Sequence, residues 1–266
     1  MLIRTVSALI LLPLAIALIW LGGMPFYLAL GALLMIAARE FNQLVRQGSH
    51  PHQAPLLFSL ALVLVIGADV VYPAGNWLRP GITLILVVSL IWQLQHRQSE
   101  PTVDWALAIT GGLYLGLAGA HFILLRQLPA GERWLLLTLT GTWLADSGAY
   151  FIGSRIGRHK MTPTLSPKKS WEGLAGGVLF GTALTPIVAA AFGLPWIHGV
   201  ALGLIGATIG TLGDLSISMI KRQVGAKDSG HLIPGHGGAL DRLDSLLFTV
   251  IVGYYYLIWI APIGGI

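Results

Sequence analysis

Residues 218–245 read SMIKRQVGAKDSGHLIPGHGGALDRLDS, a polar stretch between two long apolar segments. It gathers Lys221, Arg222, Lys227 and Arg242 with Asp228, Asp241 and Asp244, two histidines and five glycines, in a chain of which only 10% is charged. With 55% apolar residues, a mean hydropathy of +0.76 and repeated apolar stretches near the ~20 residues that cross a bilayer, the chain reads as an all-α polytopic membrane bundle. Charges carried by such a chain are costly and are expected to have a use.

Working outward from that stretch, nine candidate spans lie at about 5–22, 24–43, 55–73, 80–94, 105–125, 133–152, 172–192, 195–220 and 245–263. The first follows Arg4 and is read as a retained span rather than a signal peptide, because no small-residue cleavage site precedes the next apolar segment at Met24. Nine spans put Arg4, Arg39, Arg46, Arg97, Arg155, Arg158, Lys160, Lys168, Lys169, Lys221, Arg222, Lys227 and Arg242 on one side, and only Arg79, Arg126 and Arg133 on the other. The positive-inside rule then predicts a cytoplasmic N-terminus, an external C-terminus and cytoplasmic loops at 153–171 and 221–244. Merging or dropping one internal span would separate those two basic loops onto opposite faces. No internal repeat is visible. The ionisable clusters fall in the second half, so residues 1–130 are expected to form an N-terminal scaffold and 131–266 the functional half. The absence of cysteine excludes disulfides and thiolate metal sites. A pI near 9.7 suits anionic lipid surfaces or phosphate ligands, and no nucleic-acid partner is expected from it.

A second cluster runs from TWLADSGAYFIGSRIGRHK, residues 142–160, into TPTLSPKKSWEGLAGG, residues 162–177. Asp146 sits about two turns before the loop, where an ion pair with a neighbouring helix and a functional role both stay open. Lys168 and Lys169 precede a helix predicted to start near Ser170 or Trp171, a placement that attracts anions. Arg155, Arg158 and Lys160 read equally well as an ordinary topology-setting loop. In the eighth span Gly206, Gly210, Asp214 and Ser218 recur at four-residue spacing and share one helical face. The glycines of that face, like Gly173, Gly177 and Gly181 in the seventh span, admit close helix neighbours. Asp241 and Asp244 are three apart where the last span begins, a spacing that suits a hard cation. Pro234, His236 and the glycines around them predict a tight loop whose backbone N–H groups approach an anion.

From Ser218 to Asp244 the chain closely resembles the signature of the phosphatidate cytidylyltransferase (CDP-diacylglycerol synthase) family. Ser218, Lys221-Arg222, Lys227-Asp228, Pro234, His236-Gly237-Gly238 and Asp241-Arg242-Leu243-Asp244 match in order. The resemblance extends to residues 146–150 and 166–173, covering about 142–248, and departs at Ala239, where the family usually has a larger apolar residue. It implies transfer of CMP from CTP to phosphatidate, giving CDP-diacylglycerol and pyrophosphate in phospholipid biosynthesis. It further implies Asp214 and Asp241 as ligands of Mg²⁺, with room for a second cation. Asp146, Asp244, Lys168 and Lys169 complete the implied catalytic set. Ser218, Lys221, Arg222, Lys227, Asp228, His236 and Arg242 are the implied substrate-binding residues. A homodimer in the cell inner membrane, with its active site facing the cytoplasm, is the implied setting. Two rival readings are a CTP-dependent enzyme acting on another lipid phosphate, and an anion transporter. A transporter is expected to show related halves and a polar path to both faces, whereas the charges here crowd into one half.

Overall fold

The computed structural model describes residues 2–47, 55–95, 100–230 and 237–261. Among these, nine α-helices match the nine apolar segments one for one: α1 (Leu2–Leu21), α2 (Gly23–Gln47), α3 (Pro55–Val71), α4 (Leu78–Gln95), α5 (Pro101–Gln127), α6 (Gly131–Ile156), α7 (Trp171–Ala191), α8 (Trp196–Gln223) and α9 (Leu240–Trp259). Five of them, α2, α4, α5, α7 and α8, are long and apolar enough to cross a membrane, and α1 and α3 hold shorter apolar runs. The protein is an all-α integral membrane protein.

Local chemistry sets the helix ends. Proline opens α3 and α5, at the position where its missing N–H costs nothing. The Ser170 hydroxyl caps α7 by accepting from Gly173 N at 3.1 Å. At the end of α8, Ala226 N donates to Lys221 O at 2.9 Å and Gly225 N to Arg222 O at 3.1 Å, while Gly225 takes φ +70°. This is the Schellman arrangement, which needs a left-handed residue at Gly225 and turns the chain into the signature stretch. Where the sequence predicts a plain loop at 153–171, the structure holds an antiparallel hairpin of β1 (Lys160–Thr162) and β2 (Ser166–Ser170). Thr162 lies opposite Ser166 and Lys160 opposite Ser170, and the pairing runs on through Trp171 N to His159 O at 2.9 Å.

The chain forms two compact units. One comprises residues 1–123 with 220–242, and the other residues 124–219 with 243–266. In the first, Phe58, Leu62, Ile85 and Ile109 form a buried cluster from α3, α4 and α5. Beside it Asn42 Nδ2 donates to Ser59 Oγ at 3.2 Å, and Ser59 Oγ donates to Ala108 O at 2.8 Å. In the second, glycines bring helices to backbone contact. A Cβ on Gly177 would lie 3.0 Å from Ala145 O of α6, and one on Gly206 2.8 Å from Thr142 N. Gly210 faces Thr142, Thr249 and Ser245, and Thr142 Oγ1 donates to Thr249 Oγ1 at 3.2 Å. The four-residue glycine spacing therefore does serve close packing.

The tightest crossing joins α7 to α8, where a Cβ on Gly203 would come within 2.1 Å of Gly181 O. The obstacle is backbone, so no rotamer relieves it. Gly203→Ala is expected to destabilise the protein by about 2–3 kcal/mol, read as a lower melting midpoint in detergent. Gly31→Ala is the control, since nothing lies within 4 Å of the position its Cβ would take. Equal melting of the two variants would contradict this packing.

Candidate active site

In the second unit the hairpin carries Lys168 and Lys169 on β2, and strand alternation sends them opposite ways. Lys168 is exposed. Lys169 reaches α8, where its Nζ lies 2.7 Å from Asp214 Oδ2 and donates to Thr211 O at 3.3 Å. Ser218, one turn along α8, donates its hydroxyl to Asp214 Oδ1 at 3.1 Å. Two sequence clusters some forty residues apart thus meet on one carboxylate, whose side chain is still 36% exposed. Asp146 is exposed on α6. Asp244 is buried in the first turns of α9 and accepts from Ser245 N at 2.7 Å.

In the first unit Asp241 is buried and almost saturated. Lys221 Nζ donates to its Oδ1 at 2.7 Å, while Ser229 N at 2.8 Å and Gly238 N at 3.0 Å both donate to its Oδ2. Lys221 is itself buried, so this ion pair is shielded from water. Arg222, Lys227, Asp228 and Arg242 are exposed, and Arg222 also donates to Ala226 O at 2.9 Å. His236 and Pro234 lie outside the described residues; Gly237 beside them takes φ +82°. In each unit an ammonium sits on a carboxylate, Lys169 on Asp214 in one and Lys221 on Asp241 in the other. A fixed cation of this kind can neutralise charge on a phosphate group.

The profile of the Cytidylyltransferase family matches residues 2–260, nearly the whole chain. The chain belongs to the cytidylyltransferase family. Its similarity to individual relatives is also close to full length. The phosphatidate cytidylyltransferase of Pseudomonas aeruginosa is 34% identical, covering 98% of each chain. That of Synechocystis is 33% identical over 98% of this chain and 97% of its own, and that of Bacillus subtilis 32% identical over 90% and 91%.

In this cytidylyltransferase one important residue escapes the motif reading. Glu40 of α2 is 5% exposed and accepts from Ala239 N at 3.0 Å, Leu240 N at 2.9 Å and Ser229 Oγ at 2.9 Å. It belongs to the N-terminal segment that the sequence pattern reads as scaffold. The available signal is a carboxylate in the middle of MIAAREFNQL, residues 35–44, an acid that an apolar helix does not carry without a partner. Ala239, where the resemblance departs, is fully buried and donates its backbone N–H to Glu40.

Proposed function

We propose that the protein is a phosphatidate cytidylyltransferase, which transfers CMP from CTP to phosphatidate and releases pyrophosphate. The near-full-length likeness to relatives bearing that name carries this reading. A phosphatidate oxygen forms a bond to the α-phosphorus of CTP as the bond from that phosphorus to the pyrophosphate oxygen breaks. The second pKa of a phosphomonoester is about 6, so the nucleophile is largely dianionic near neutrality and needs no strong base. The barrier is the approach of one polyanion to another, and fixed positive charge lowers it. Lys169 and Lys221 are held in place by Asp214 and Asp241. Lys168, Arg222, Lys227 and Arg242 are exposed for CTP arriving from the aqueous phase.

Mg²⁺ is the proposed cofactor, with Asp214 and Asp241 as its ligands. Each carboxylate offers oxygen donors and already attracts an ammonium at 2.7 Å. Mg²⁺ takes one or two carboxylates and completes its shell with phosphate oxygens and water. Bound there, it would supply charge neutralisation for the departing pyrophosphate. The thirteen-to-three split of basic residues supports a site facing the cytoplasm, and the bacterial relatives support placement in the cell membrane. The family resemblance supports a homodimer.

Purified protein in detergent, given CTP, phosphatidate and Mg²⁺, is expected to form CDP-lipid and pyrophosphate in equal amounts, and chelation is expected to stop both. No pyrophosphate with phosphatidate, but release with a different lipid phosphate, would transfer the assignment to that lipid. No nucleotide turnover with any lipid phosphate would end the enzyme reading.

A further inference from the structure

We infer that Glu172 is a positioning residue of the active site, which clamps the first leg of the β1–β2 hairpin to the start of α7 and so sets where Lys169 presents its ammonium. The inference rests on the function proposed above and adds to it a residue outside the catalytic and substrate-binding sets. Arg158 and His159 follow Gly157, the C-cap of α6, and their backbone N–H groups go to a side chain. Both donate to Glu172 Oε2 at 3.2 Å, and His159 N lies 3.2 Å from Oε1 as well. The His159 ring meets the same carboxylate through Nδ1. An acid in the first turn of a helix is favourable there on its own account. The Glu172 carboxylate nevertheless leaves the cap of α7 to Ser170, whose Oγ accepts from Gly173 N at 3.1 Å, and turns to the other leg of the hairpin.

The hairpin needs such a clamp. Its strands have three and five residues, and their register is irregular between Lys160 and Thr162. A two-stranded hairpin of that size is marginal by itself. His159 is held from both sides, because its N–H goes to Glu172 while its carbonyl accepts from Trp171 N at 2.9 Å. The helix ends beneath it are in close contact: a Cβ on Gly157 would lie 2.4 Å from Ser170 Oγ, and one on Gly153 would lie 3.2 Å from Gly173 Cα. One turn of α7 thus carries both legs, the second through Ser170 and the first through Glu172. Lys169 is the residue before Ser170, and its Nζ spans from that leg to Asp214 Oδ2 at 2.7 Å and Thr211 O at 3.3 Å. Loosening the first leg frees the strand on which that reach depends.

Glu172→Ala removes the clamp and is expected to lower kcat/KM by roughly tenfold, within the range that misplaced groups produce. Glu172→Gln is the rescue, since an amide oxygen in the place of Oε2 still accepts from both backbone N–H groups; it is expected to stay within about threefold of wild type. A residue that acts through another adds nothing once that other is gone. Glu172→Ala combined with Lys169→Ala is therefore expected to lie within about twofold of Lys169→Ala alone. Independently of activity, tryptic cleavage after Arg158 and Lys160 is expected to accelerate in Glu172→Ala and not in Glu172→Gln, while cleavage after Lys227 keeps its wild-type rate. Losses that multiply in the double variant would overturn the inference, because Glu172 would then act apart from Lys169. So would a Glu172→Gln protein as impaired as Glu172→Ala, which would assign the effect to charge, or faster cleavage at all three positions, which marks general destabilisation. If the wild-type protein turned over no CTP, the proposed function would fail, and the cleavage contrast would still decide whether Glu172 holds the hairpin.

Discussion

Asp241→Asn is expected to reduce CDP-lipid formation by about a thousandfold, the scale on which loss of a preorganised electrostatic group acts. The carboxylate holds Lys221 through Oδ1 and two backbone N–H groups through Oδ2. An amide cannot accept at both ends, and it carries no charge for a cation or for Lys221. The substitution leaves the buried Lys221 ammonium without a counter-charge, which costs about 3 kcal/mol. A fall in activity alone would therefore not separate chemistry from folding. Lys221→Met combined with Asp241→Asn removes the orphaned charge and is expected to recover much of the melting temperature without recovering turnover. Pyrophosphate release under saturating CTP and Mg²⁺ is the measurement. Near-wild-type turnover in a well-folded Asp241→Asn protein would remove Asp241 from the catalytic set.

Lys169→Ala is expected to lower kcat/KM by about a hundredfold, whereas Lys168→Ala is expected to stay within a few-fold of wild type. Sequence treats the two lysines as equivalent, since both precede the α7 N-terminus. Strand β2 separates them: Lys169 reaches Asp214 and Thr211, and Lys168 is exposed. Removing Lys169 takes a cation from the carboxylate shared with Ser218, and so changes the charge presented to the phosphates. Steady-state kinetics of both variants with CTP and phosphatidate check the contrast. Equal losses would mean that both lysines serve phosphate from the surface and that the Lys169–Asp214 pair has no separate importance.

Much of the fold is legible because its determinants are local. Nine apolar segments become nine helices, and their ends follow nearby residues such as Pro101, Ser170 and Gly225. The spacing of Gly206, Gly210 and Asp214 marks a packed face of α8, and that face meets Thr142 and Thr249. The hairpin is less legible, because a three-residue strand such as β1 has no periodicity to read. Of the signature residues, Asp214, Ser218 and Lys169 come together on one carboxylate, and Lys221 and Asp241 on another. Glu40 is illegible as part of the signature, since its partners at Ser229, Ala239 and Leu240 lie some 190 to 200 residues away.

The amino-acid sequence by itself determined the membrane class, the nine helices, the cytidylyltransferase signature and the residue types of its site, because hydropathy, capping and motif order are properties of neighbouring residues. Tertiary structure alone decided which lysine meets Asp214 and which acid caps α9. Those choices depend on the strand register of 160–170 and on the approach of α2 to the start of α9. Both are contacts between distant parts of the chain, fixed by packing and by the need to satisfy buried donors, and no local pattern encodes them.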